Sequence, residues 1–392
     1  MKWVKFEEGQ RLPIKSWCED VEDGAMEQVL NCSIHPVLFH HVALMPDAHK
    51  GFGLPIGGVI ACDGAVIPYA IGSDISCGML ARKTDLKIED LKIADVELIL
   101  NETKKVVPVG FNHHSEKQNW NEFDNAPDIK IVQQELQSAS HQLGTLGSNN
   151  HFIEIQYGDD GFVWLMIHSG SRNFGFKIAK EYHEKAVNLC ERWHSDLPDK
   201  DLAFLPIETH EAKEYLEAME FAMKFAHENR ARMMLHFGNI TAKITGCSDS
   251  AETDIDINHN YAAWENHFGK NVLVHRKGAT LARKGTIGII PGSMGTSSYI
   301  VRGLGNKDSF DSCSHGAGRV MGRADASRSL SKEDCDKAMD GIVFDGWGVD
   351  RKGHVDLGEA PQAYKDIDEV IEAELDLIEP LVKLRPLGVI KG

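Results

Sequence analysis

The sequence predicts an α+β fold. Strand-like and helix-like segments both occur along the 392 residues, but not in the regular alternation that builds a parallel sheet. No Gly-x-Gly-x-x-Gly motif follows a strand and no Walker A motif is present, so the two standard phosphate loops of parallel α/β folds are missing. Glycine is abundant, 36 against 13 prolines, and aperiodic, which excludes collagen and predicts many tight turns.

The elements follow in order. Apolar runs at His41–Leu44, Gly57–Cys62, Val66–Ala70 and Gly78–Arg82, broken by Gly and Pro, read as strands and turns. Lys87–Glu102 and Asp128–His141 repeat apolar residues at helical spacing, with a polar, irregular loop at Gly110–Asn125 between them. Phe152–Tyr157 and Phe162–His168 read as a hairpin turning at Gly158–Gly161. Phe174–Trp193 and Glu211–Gly238 are helices, the second rich in the strong formers Ala, Met, Glu and Lys. Val272–Val301 returns to strands and glycine turns. A helix at Ile367–Ile378 precedes an extended tail ending in Lys391-Gly392. With no linker or repeat, one domain over residues 1–392 is expected.

Hydrophobic residues at 42% and charged residues at 26% are globular values and exclude long-range disorder. The net charge of -17 argues against a non-specific nucleic-acid coat protein. The segment Lys270–Arg328 departs from this balance, with ten Lys or Arg against three acids, a surplus of seven. It reads either as a basic surface for a phosphorylated substrate, with Arg283 and Lys284 on an RNA path, or as a segment pairing with acids elsewhere. Met1–Gln10 lacks the apolar core of a signal peptide, and no apolar run nears the roughly 20 residues that span a bilayer. Eight scattered cysteines without a Cys-x-x-Cys pair complete the expectation of a soluble cytoplasmic protein with reduced thiols and no membrane partner.

Two constellations carry chemistry. Asp74 and Cys77, three apart in a glycine-flanked turn, join His151, His168 and His259 at the ends of elements as a candidate metal set. If the hairpin forms, His151 at the start of one strand meets His168 at the end of the other. Thiolate with imidazole favours zinc, while carboxylate and open coordination admit manganese. The second constellation is Pro291-Gly292-Ser293-Met294 through Ser298, with Ser314-His315-Gly316-Ala317-Gly318-Arg319. Small residues let backbone N–H groups approach an anion. His315 is placed to attack phosphorus, and Arg319 and Arg323 to grip a phosphate. His275, just before Arg276-Lys277-Gly278-Ala279, is the rival nucleophile. Singly, each residue has a plainer role: a small buried thiol, a hydrogen-bonded histidine, a turn-forming aspartate.

Together these motifs resemble the RtcB family of RNA-splicing ligases. The resemblance rests on Met45-Pro46-Asp47-Ala48-His49-Lys50-Gly51, Gly72-x-Asp74-Ile75-x-Cys77-Gly78, Leu143-Gly144-Thr145-Leu146-Gly147, and Asn150-His151-Phe152-x-Glu154. It continues through His168-Ser169-Gly170-Ser171-Arg172, Asn258-His259-Asn260, Arg276–Ala279, Pro291–Gly295 and His315–Arg319. It implies packed mixed or antiparallel β-sheets flanked by helices. It implies a GTP- and manganese-dependent ligase that joins an RNA 3′-phosphate or 2′,3′-cyclic phosphate to a 5′-hydroxyl. By the same resemblance, Asp74, Cys77 and His151 hold one manganese ion, and Cys77, His168 and His259 a second, with the thiolate shared. His315 becomes covalently attached to GMP. Asn150, Glu154, His259, Asn260, Pro291, Gly292, Ser293, Met294, Ser298, Gly316, Ala317, Gly318 and Lys391 hold the guanylate. Asn149 and Asn173 stand where the family pattern has Gly. The runner-up activity is a guanylyltransferase that caps 3′-phosphate ends of RNA or DNA without efficient joining.

Overall fold

Two antiparallel-dominated sheets organise the chain in this computed structural model, which describes residues 1–148, 150–248, 254–349 and 353–392. Six strands form the first, in the order Trp3–Lys5, Ile14–Ser16, Leu38–Phe52, Leu54–Cys62, Lys270–Lys277, Asn260–His267. Its one parallel pair is Ile14–Ser16 with Leu38–Phe52. Seven strands form the second, in the order Ile255–Asn258, Gly78–Lys87, Phe162–Ser169, Phe152–Gly158, Ile378–Lys391, Ser298–Gly303, Ile287–Ile290, antiparallel throughout. The α+β class expected from the sequence is the one observed.

The hairpin shows why the second sheet sits between two cores. Successive side chains on a strand point to opposite faces. Val163, Leu165 and Ile167 enter a core with Val96, Ile99 and Leu100 of the helix Ile93–Val106 and Met233, Met234 and Phe237 of the helix His210–Thr245. The intervening Trp164 and Met166 pack on the other face with Met79, Ile300 and Leu384. A further core joins both sheets, with Ala43, Val59 and Val274 from the first and Tyr299, Val301 and Ile378 from the second.

The hairpin turns where the sequence places it, with Phe152 opposite His168. The long helix runs to Thr245, seven residues past its expected end. Thr209 caps its start by accepting the Ala212 N–H, and Gly246 stops it at φ +79°. Gly238 is buried inside it and does not terminate it. The expected helix Ile367–Ile378 ends at Ala373, and residues 374–377 turn the chain into the strand that begins at Ile378. The extended tail is that 14-residue strand, interior to the second sheet, with Lys391 opposite Phe152. The helix Asp23–Ile34 carries no marked sequence signal: its N-cap Glu22 makes no capping bond. Among the described residues no helix is long and apolar enough to cross a membrane.

Candidate active site

The five candidate metal ligands converge. Cys77 precedes the strand Gly78–Lys87, and its N–H donates to the Asp74 carbonyl at 3.1 Å, closing a turn that puts both side chains on one centre. The His259 N–H donates to the Cys77 carbonyl at 2.9 Å. Cys77 Sγ lies 3.4 Å from His151 Nε2 and 3.2 Å from His168 Nε2. His151 Nε2 is 3.2 Å from Asp74 Oδ2, and His168 Nε2 is 3.3 Å from His259 Nε2. Two donor sets result, Asp74–Cys77–His151 and Cys77–His168–His259, each with its ligand atoms within 4.8 Å of one another and with Cys77 in both.

The donors fit a divalent cation. His151 Nδ1 lies 2.9 Å from the Leu146 carbonyl and His168 Nδ1 3.1 Å from that of Asn150. Carbonyls only accept, so both imidazoles carry hydrogen on Nδ1 and aim Nε2 lone pairs at the centre. Burial pushes the Cys77 thiol well above its ordinary range, and the Asp74 charge adds to that. Burial pushes His168 and His259 well below theirs. Lone pairs and a carboxylate packed this closely, away from water, repel unless a cation lies among them.

Glycines make the approach possible. A Cβ at Gly170 would lie 2.4 Å from an Asp74 oxygen, and one at Gly147 would lie 2.0 Å from the Arg172 guanidinium. Arg172 in turn donates its Nε–H to Thr145 Oγ1 at 3.3 Å. Arg230, fully buried, donates to the Ser76 and Ser169 carbonyls and pairs with Asp256, fixing the Asp74–Cys77 turn against the hairpin. Asn173 donates its N–H to Gln142 at 3.1 Å; Asn149 lies outside the described residues.

His315 stands beside this cluster, its ring centroid 4.8 Å from that of His259. Its Nδ1 lies 2.6 Å from Asp47 Oδ2, and its backbone N–H donates to the same oxygen at 3.1 Å. Asp47 is completely buried in the strand Leu38–Phe52, which alone would raise its carboxyl, but His315 holds it below its ordinary value. Gly318, at φ +73°, comes so close to the Asp47 carbonyl that a Cβ would lie 2.3 Å from it. With Nδ1 held by Asp47, Nε2 is the free nitrogen of His315. The rival His275 is excluded by geometry. It is fully buried, its Nε2 accepts the Ile67 N–H at 3.0 Å, and its Nδ1 donates to the Leu273 carbonyl at 3.0 Å.

A cavity of about 800 Å³ opens over these groups. Asp74, Cys77, Asn150, His168, His259, Asn260, Pro291–Met294, His315–Gly318 and Lys391 line it. His151, Glu154 and Ser298 do not. Glu154 and Ser298 lie behind the Pro291–Met294 loop in one network: Gln156 Nε2 donates to Glu154 Oε2 at 2.5 Å and to Ser298 Oγ at 3.2 Å, and Ser298 Oγ accepts the Gly292 N–H. Burial pushes the Glu154 carboxyl up to about 8, against the pull of Lys391. At the rim, Glu359 holds three cations: Arg319 at 3.2 Å, Arg323 at 2.7 Å and Lys391 at 2.9 Å.

The family profile described as tRNA-splicing ligase RtcB matches residues 28–127 and 118–392. The chain is 40% identical to RNA-splicing ligase RtcB of Escherichia coli K12, across 98% of both chains. It is 32% identical to tRNA-splicing ligase RtcB of Pyrobaculum aerophilum, across 98% of this chain and 95% of that one. The chain belongs to the RtcB family. A relative from Mycobacterium bovis, also an RNA-splicing ligase RtcB, is 32% identical over its full length.

The basic stretch of this RtcB-family chain is not one continuous surface. Eight of its ten cations pair with carboxylates. Arg276 is wholly buried against Glu265, and Lys277 is buried against backbone carbonyls. Arg283 reaches Glu265 at 3.3 Å, and neither it nor Lys284 lines the cavity. Only Lys277, Arg319 and Arg323 of the ten do. Sequence reasoning assigned no role to Asp47, Arg172, Arg230 or Glu359. Asp47 had a faint signal: a lone acid in an apolar run that folds as an interior strand.

Proposed function

We propose that this protein is a GTP- and manganese-dependent RNA ligase, joining 3′-phosphate or 2′,3′-cyclic phosphate ends to 5′-hydroxyl ends through a guanylyl-His315 intermediate. The observation that carries this reading is that His315, held from behind by Asp47, lines the same cavity as Asp74, Cys77, His168 and His259 of the two donor sets that share Cys77.

Asp47 accepts the Nδ1 hydrogen and fixes the imidazole so that the Nε2 lone pair attacks the α-phosphorus of GTP. A P–N bond forms and pyrophosphate leaves. The 3′-phosphate of RNA then attacks the guanylyl phosphorus, freeing His315 and leaving an activated end. The 5′-hydroxyl displaces GMP and closes the phosphodiester; a cyclic phosphate is first opened by water. Bound manganese would supply charge neutralisation on the phosphates and acidify the attacking water or hydroxyl. Asp74, Cys77, His151, His168 and His259 would hold it, two ions in all. Thiolate and imidazole accept zinc as well, but turnover favours the more labile manganese.

Asn150, His259, Asn260, Pro291–Met294, Gly316–Gly318 and Lys391 are assigned to the guanylate within the cavity, with Glu154 and Ser298 supporting it from behind. A cytoplasmic setting, where thiols stay reduced, is part of this reading. A guanylyltransferase that caps 3′-phosphates without joining would use the same residues. Incubation with GTP, manganese and RNA bearing 3′-phosphate and 5′-hydroxyl ends separates the two. Joined RNA is expected; accumulation of capped ends alone would favour the transferase.

A further inference from the structure

Among the exposed large apolar side chains of the described residues, two line the cavity: Phe52, 67% exposed, and Phe176, 43% exposed. Their backbones are fixed although their rings are bare. Lys277 Nζ donates to the carbonyls of Phe52 and Tyr69, tying the Leu38–Cys62 hairpin to the floor of the cavity. The hairpin turns at Gly53, φ +66°, where a Cβ would lie 2.8 Å from the Asp201 carbonyl, so the turn is seated on its neighbour. Phe176 follows the buried Phe174 and Gly175 in the first turns of the helix Arg172–Arg192. The exposed Lys50 lines the same cavity.

A bare ring on a rigid backbone keeps its apolar face in water with no folding gain, and two such rings lining one cavity mark a binding groove rather than scattered surface residues. Every nucleobase has a π-face, so aromatic side chains hold single-stranded ends without reading sequence, and a lysine alongside meets the phosphate. A protein partner would engage an outward face; these rings instead line the same cavity as His315.

We propose that Phe52 and Phe176 form a stacking platform for unpaired nucleobases at the RNA ends, with Lys50 against the adjoining phosphate. The proposal rests on the reading of the cavity as a site for RNA ends. It names the part of the substrate that the guanylate and metal residues do not address.

The test is equilibrium binding of a short single-stranded oligoribonucleotide, labelled mid-chain, without GTP or manganese. One version carries bases throughout and the other is abasic at both terminal nucleotides. Wild-type protein should bind the abasic RNA on the order of tenfold more weakly. The Phe52→Ala/Phe176→Ala variant should bind the base-bearing RNA as weakly as the abasic one, and Phe52→Tyr/Phe176→Tyr should restore the difference. A wild-type protein that binds both RNAs equally overturns the platform, even where the alanine variant fails to fold. So does a folded alanine variant that keeps the wild-type preference. GTP-dependent labelling of the wild-type protein is scored separately. Its absence with base preference intact would overturn the ligase chemistry and leave the platform standing.

Discussion

His315 Nδ1 sits 2.6 Å from Oδ2 of the fully buried Asp47, although the two residues are 268 positions apart. The contact fixes both tautomer and ring orientation, because an ionised carboxylate only accepts. Asp47→Asn presents an amide to the same nitrogen and disfavours the tautomer with a free Nε2 lone pair. The rate of covalent guanylylation should fall by about two to four orders of magnitude, as for a carboxylate orienting a catalytic imidazole elsewhere. Single-turnover labelling checks this, with thermal melting to confirm that the variant is folded.

Cys77 belongs to both donor sets, whereas each histidine belongs to one. Cys77→Ser should therefore lose more bound manganese and more ligation than His151→Ala, His168→Ala or His259→Ala. A hydroxyl is a far weaker ligand than a thiolate near neutral pH. Metal content by mass spectrometry after desalting, beside ligation rates, decides it. Two ions retained in Cys77→Ser would remove the shared role.

Glu154 couples stability to pH. Burial raises its carboxyl from 4.5 to about 8, so between these values the folded chain holds a proton that the unfolded chain has released. Stability from this group is complete below about 4.5 and is lost as pH rises toward 8. Glu154→Gln removes the loss. Without nucleotide, the variant should gain on wild type by up to a few kcal/mol between pH 5 and pH 8. Urea unfolding across that range measures the difference.

Arg323 lines the cavity, whereas Arg283 and Lys284 do not. Arg323→Ala should reduce the log–log salt slope of RNA binding by about one unit if it meets one phosphate. Charge reversal at Arg283 and Lys284 should leave the slope unchanged. Affinity at four or five salt concentrations separates the two variants.

The site was legible in the sequence to the extent that its chemistry is local. Asp74 and Cys77 share one turn, and the hairpin register that joins His151 to His168 follows from strand length and the Gly158–Gly161 turn. The role of Asp47 was only faintly legible: it is a lone acid in an apolar run, but its partner comes from a distant strand end that no window of neighbours records. The basic stretch misled for the same reason. Its charges are close in sequence, while the carboxylates that neutralise most of them, such as Glu265, Glu359 and Glu379, come from elsewhere. Helix ends were less legible: the long helix passes through Gly238 to stop at Gly246, and the helix before Ile378 gives way to turn residues at 374–377 before Ile378 pairs with Gly303 in the second sheet.

The central claim is that His315 is the residue guanylylated, and the most direct measurement uses α-labelled GTP with manganese, followed by denaturing electrophoresis. Wild-type protein should carry label through denaturation, and His315→Ala should carry none while melting as a folded protein. His275→Ala should keep the label wherever it folds, since both ring nitrogens of His275 are engaged by backbone groups. Label retained in folded His315→Ala would contradict the account.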